Sequence, residues 1–179
     1  MNIRRVVTGH SDAGKSVVVS DGPPPRSVDF KHVPGMSASL MWETTTGQQV
    51  GASAVDGTPS SSWMPGVGGT NLMMLVFPPD SVMADPSFDA FAAGMEYVQN
   101  LPGLAEKFER DSPGMHTTDT VDYAVVLDGE ICLELDDGQV VSLKKHDVVV
   151  QNGTRHAWRN RSDRPVTMLF VLTGAVRSR

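Results

Sequence analysis

Residues 116–160 read HTTDTVDYAVVLDGEICLELDDGQVVSLKKHDVVVQNGTRHAWRN, four short apolar or alternating runs separated by Asp-Gly, Asp-Asp-Gly, Lys-His-Asp and Asn-Gly. Runs of this length with turn residues between them predict short antiparallel strands closing into a sandwich or barrel. Side chains alternate faces along a strand, so His116, Thr118, Thr120, Asp122, Ala124 and Val126 are expected to share one face, with Tyr123, Val125 and Leu127 on the other. After the Asn152-Gly153 turn, His156 and Trp158 share a face in the same way. Two histidines and an aspartate can then meet inside the sheet. Ile131 and Leu133 alternate with Cys132, which reads as a small packed or interface residue rather than a nucleophile.

Outward from this stretch the chain is compatible with one domain of 179 residues, divided into N-terminal strands and loops (1–84), an inserted helical segment (85–109) and the core strands (116–174). A lone cysteine cannot form an internal disulfide, which agrees with a reducing, cytoplasmic setting. No apolar run is long enough to cross a membrane as a helix, so no membrane partner is expected. A formal charge of −6, with the one concentrated basic stretch (155–164) interrupted by Asp163, disfavours nucleic acid as a partner.

Gly9 to Ser16 spells G-x-x-x-x-G-K-S, the pattern of a phosphate-binding loop. That chemistry needs a helix N-terminus after the loop. Here Val17, Val18 and Val19 follow, and then Asp21-Gly22-Pro23-Pro24-Pro25, so the segment is expected to be a hairpin turning between His10 and Gly14. Strands are also expected at 37–44, with Trp42, and at 71–77; the Gly/Ser/Thr/Pro-rich tract 45–70 between them lacks periodicity. Phe88, Phe91, Ala92, Met95 and Val98 recur at helical spacing over 85–100, with Asp85 as the expected cap and Pro86 in the first turn. The expected role is a helix packed outside the sheet, with a lid as the alternative.

The 116–160 stretch resembles the cupin superfamily, whose first motif is G-x5-H-x-H-x3/4-E-x6-G and whose second is G-x5-P-x-G-x2-H-x3-N. His116, Thr118, Asp122 and Gly129 fall at the first motif's two histidines, glutamate and final glycine, and Gly153, His156 and Asn160 satisfy the end of the second. Thr118 replaces a histidine, Asp122 shortens the carboxylate arm, Gln151 stands at the proline and His146 at a turn glycine. The resemblance implies a mainly β protein, a double-stranded β-helix or jelly-roll barrel with an N-terminal strand extension and one inserted helix, and a homodimer.

For function the resemblance implies a metal-dependent enzyme acting on a small oxygenated or carboxylated organic molecule; dioxygenase, decarboxylase, lyase and isomerase chemistry all remain open. His116, Asp122 and His156 are the expected ligands of a divalent ion, Fe(II) first, with Zn, Mn or Ni as alternatives. Thr118, Thr120, Trp158 and Trp42 are expected around the substrate. Arg155 and Arg159 are turned away from His156 by alternation, and Arg159 is expected at the surface or a subunit interface. The alternative is a non-catalytic small-molecule-binding cupin without metal, its Asp and His groups bonded to each other or to backbone.

Overall fold

In the computed structural model, which describes residues 2–51, 56–58 and 62–178, strand is the predominant secondary structure. Strands β1 (Arg5–His10) and β2 (Ser16–Gly22) form a hairpin. Its turn is closed by the Gly14 N–H on Ser11 O and the Ser11 N–H on Lys15 O. Lys15 and Ser16 therefore lead into a strand, and no helix follows to present amides to a phosphate.

Six strands make the main sheet: β3 (Arg26–Asp29), β4 (Ser37–Thr44), β5 (Thr70–Phe77), β6 (Thr120–Asp128), β9 (Val148–Asn152) and β11 (Val166–Gly174), in the order β3-β4-β5-β11-β6-β9. Three more, β7 (Glu130–Glu134), β8 (Val140–Lys144) and β10 (Ala157–Arg159), form a second sheet in the order β10-β7-β8. All pairings between these named strands are antiparallel.

The core lies between the two sheets, and strand register decides what faces it. Phe170 stands opposite Met73 on one side and Ala124 on the other, and Met168 opposite Leu75 and Val126. All of these are buried, against Ile131, Leu133 and Leu143 from the second sheet. One row further along, Leu172 faces Asn71 and Asp122, and Asp122 faces Gln151 of β9. The apolar ladder thus ends in a polar row at one end of the sandwich. At the opposite face of β6, Tyr123 remains 48% exposed and is not covered by the N-terminal hairpin, whose Val17, Val18 and Val19 are themselves exposed.

The helix differs from its expected form. Helix α1 spans Ala90–Asn100, and Asp89 caps it, its side chain accepting the Ala92 N–H at 2.9 Å. Asp85 is engaged by Ser87 instead, accepting its N–H at 2.8 Å and its hydroxyl at 2.6 Å, which makes a turn before the helix. The expected apolar stripe is also misplaced: Phe91, Met95 and Val98 face solvent, while Ala93 and Tyr97 face the core. Glu96 fixes this rotation, because its two carboxylate oxygens accept the N–H groups of Lys31 and His32, both at 2.8 Å. Tyr97 then packs between Phe30 and Phe108, at centroid distances of 4.9 and 6.0 Å.

Residues 52–55 and 59–61 of the 45–70 tract lie outside the described residues. Its described parts are anchored at two points. Asp56 meets Arg5 at 2.7 Å, and Trp63, 1% exposed, donates its indole N–H to Asn100 O at 2.8 Å.

Candidate functional site

The polar end of the core opens into a pocket of about 530 Å³, with His116, Thr118, Asp122, His156 and Trp158 in its wall. Alternation puts them there as the sequence predicts: 116, 118, 120, 122, 124 and 126 are all buried, whereas Tyr123 is exposed. His116 precedes β6 and is held to His156 by reciprocal backbone hydrogen bonds of 2.9 and 3.0 Å. That two-residue bridge brings the imidazoles together, with ring centroids 4.2 Å apart and planes tilted by 49°.

Each imidazole has a defined proton. Nδ1 of His116 donates to Gly114 O at 3.1 Å and Nδ1 of His156 to Thr154 O at 3.0 Å; a carbonyl can only accept, so both protons sit on Nδ1. Burial lowers the pKa of His116, and burial together with the neighbouring His116 lowers that of His156 to about 4. Both rings are neutral at pH 7, and each Nε2 keeps a free lone pair.

Asp122 is the third member. Burial pushes its carboxyl up to about 6, against hydrogen bonds from Thr120 and Thr118. Its Oδ1 is buried without a partner, as is Nε2 of Gln151 on the adjacent strand. Thr120 lies behind Thr118, donating to its hydroxyl at 2.8 Å, and is not itself in the pocket wall. Among the described residues, no three His, Cys, Asp or Glu side chains converge on one point where an ion could sit.

Most of the remaining wall is apolar and aromatic. Phe108 packs on His116 at 4.7 Å, Trp158 stands edge-on to His156 at 5.8 Å, and Phe170 meets Trp158 at 5.6 Å. Trp42, expected here, lies elsewhere: it is outside the pocket wall, 5.7 Å below the Arg5 guanidinium. Arg155 does turn away, forming a two-pronged pair with Glu109 (2.6 and 2.7 Å) and a third contact with Asp136 (2.7 Å). Arg159 corrects its expectation, because it reaches the pocket rim while bonded to Glu134 and to Pro113 O.

Sequence reasoning missed Tyr97, Asp80 and Arg161, all in the pocket wall. Tyr97 was hidden by the misplaced helix stripe. Arg161 had a signal, since it follows Asn160, the last residue of the second motif. Asn160 is 2% exposed and pins this corner: its amide nitrogen donates to Phe77 O and Arg164 O, and its side-chain oxygen accepts from Ser162. Its backbone pairs with Asp80 in both directions.

Two facing antiparallel sheets with a histidine-lined pocket at one end define a jelly-roll architecture. Residues 108–172 match the cupin domain family. It is 62% identical over 48 residues to the phomopsin biosynthesis cluster protein C' of Diaporthe leptostromiformis, covering 27% of this chain and 25% of that protein. It is 32% identical over 89 residues to the cupin-domain-containing oxidoreductase srdB of Neurospora crassa, covering 44% and 45%. The matches thus span less than half the length of these relatives. Among solved structures, an RmlC-like cupin family protein with a double-stranded β-helix fold from Methanocaldococcus jannaschii is 13% identical, covering 61% of this chain and 73% of that one, with a TM-score of 0.39.

The donor types, though not a convergent three-ligand geometry among the described residues, match the divalent ion that the cupin resemblance implies. Imidazoles that give Nδ1–H to a carbonyl and keep Nε2 free are in the tautomer metal-binding histidines use, and the orphaned Asp122 oxygen would add a hard donor. Thr118 at the usual second histidine leaves two imidazoles rather than three.

Proposed function

We propose that this cupin is an enzyme acting on a small oxygenated or carboxylated organic molecule, with His116, His156 and Asp122 at the reactive end of its pocket. The observation that carries the proposal is the pair of buried, neutral imidazoles with unspent Nε2 lone pairs beside an unpartnered carboxylate oxygen. A buried polar atom without a partner costs on the order of 1–3 kcal/mol, so a fold retains several together where a ligand repays them.

A divalent ion, Fe(II) first, held by His116, His156 and Asp122, would supply Lewis acidity and open positions for substrate. The chain's own residues have separate work. The aromatic wall excludes water and orients the substrate, and Thr118, which accepts from Thr120, leaves its own hydroxyl proton for the Asp122 carboxyl. Without an ion, the Asp122 carboxyl near 6 gains and loses a proton close to neutral pH and suits proton transfer with substrate, whereas coordination to an ion would hold it ionised as a ligand. The naming of a partly matching relative as an oxidoreductase supports redox chemistry as the first reaction class to assay.

A second reading, a metal-free binding pocket, is favoured by Thr118 in the first motif and by the lack of three convergent ligands among the described residues. Loading the purified protein with Fe(II) under anaerobic conditions, and separately with Mn(II), Ni(II) and Zn(II), separates the two. After removal of excess ion, the enzyme reading expects close to one ion per chain in the wild type and none in His156→Ala. Retention of no ion by the wild type would leave the binding reading standing.

A further inference from the structure

The pocket wall carries two sets of polar side chains beside its aromatic ones. One is buried: His116, His156, Asp122 and Thr118. The other is Arg161, an exposed side chain that lines the pocket and has no hydrogen bond or ion pair among the described residues. Every other charge there is at least partly committed. Arg159 is paired with Glu134, and one oxygen of Asp80 accepts the Asn160 N–H at 3.0 Å.

The backbone that carries Arg161 is not a loose loop tip. Asn160 ties it to Phe77, Asp80, Ser162 and Arg164, so the guanidinium projects from a fixed point. In the same wall, Phe108, Trp158 and Phe170 offer ring faces and edges, and Tyr97 adds a phenol whose burial pushes its pKa up to about 12, keeping it protonated as a hydrogen-bond donor.

We infer that the pocket takes an aromatic carboxylic acid: the ring lies against the Phe108–Trp158–Phe170 wall, its carboxylate sits on Arg161, and an oxygen substituent points to the histidine end. The inference deepens the reading of this pocket as the functional site and rests on it. Guanidinium matches a carboxylate through two parallel N–H donors, and an arginine with no protein partner gives up no existing bond to do so. Asp80 sets a limit at the same corner, since its charge opposes an anion placed against it. The carboxylate is therefore held on the Arg161 side, and a second acidic group on the ligand is disfavoured.

Three probes test this by calorimetry on the full chain: 4-hydroxyphenylacetate, its uncharged methyl ester, and cyclohexylacetate. The acid is expected to bind about tenfold more tightly than the ester and several-fold more tightly than the non-aromatic acid. Arg161→Gln, a change at an exposed position, should abolish the acid-over-ester preference, and Met83→Trp, which crowds the pocket, should weaken the acid and the ester alike. Equal binding of acid and ester, a preference that survives Arg161→Gln, or no binding of either would overturn the inference. Failure of the site reading has a different signature: the probes bind, but Met83→Trp leaves them unaffected and His156→Ala leaves ion retention unchanged.

Discussion

At the scale of single residues, Asp122 shows how a functional group is held against stability. Its folded carboxyl keeps a proton up to about pH 6, above the ordinary 3.8, so its contribution to stability is fully present below the ordinary value and is lost as pH rises through 6. His156 runs the other way: lowered from 6.5 to about 4, it contributes fully above 6.5 and loses that contribution as pH falls through 4. The two trends oppose each other between pH 4 and 6.5. Asp122→Asn removes one of them, so in EDTA it should melt at nearly the wild-type temperature at pH 4. At pH 7.5 it should melt several degrees higher, an advantage of about 2 kcal/mol. A variant that is less stable than wild type at pH 7.5 would show that the carboxylate is paired rather than orphaned. His146 makes the complementary point about legibility. It adopts φ 75° where the family motif has glycine, so the departure in sequence preserved the turn.

At the scale of elements, strands were legible and the helix was only half so. β5, β6 and β11 each bury one face against a single core, so alternation alone specifies their inward residues. Helix α1 is apolar on more than one side, and periodicity cannot choose between Phe91-Met95-Val98 and Ala93-Tyr97. The choice is made by Glu96 reaching Lys31 and His32, a contact 64 or 65 residues distant in sequence. The cap was misjudged for a related reason, since Asp85 and Asp89 both precede the helix and only the contact with Ser87 removes Asp85 from contention. These assignments predict a sharp contrast in chemical denaturation. Phe91→Ser should change stability by less than about 0.5 kcal/mol, whereas Tyr97→Ala should cost about 3 kcal/mol by emptying the space between Phe30 and Phe108. Asp89→Ala should cost about 1 kcal/mol as a lost cap.

At the scale of the whole molecule, the second motif does structural work that the first does not. Asn160 joins the end of β10 to Phe77 at the end of β5 and to the approach to β11, bracing the pocket corner from one buried side chain. Asn160→Ala should therefore destabilise the fold by about 3 kcal/mol through several unpaired groups, while Asn160→Asp recovers only part of it because the two amide donations are lost. The same asymmetry explains what the sequence could reveal of the site. The His116, Asp122 and His156 positions follow from motif spacing and strand parity. Tyr97, Asp80 and Arg161 come from a helix, a single 3₁₀ turn and a residue beyond a strand end, where strand parity carries no information. Trp42 was drawn in because large aromatics suit pocket walls, but its ring lies beneath Arg5 instead.

The central claim is that His116 and His156 present two neutral imidazoles with free Nε2 lone pairs at the base of the pocket. Long-range proton–nitrogen NMR on ¹⁵N-histidine-labelled protein at pH 7 tests it directly. The account predicts two rings in the Nδ1–H tautomer, with protonated Nδ1 and unprotonated Nε2 signals, whose Nε2 resonances alone move strongly when Zn(II) is added. Rings protonated on Nε2, or Nε2 resonances indifferent to the ion, would contradict it.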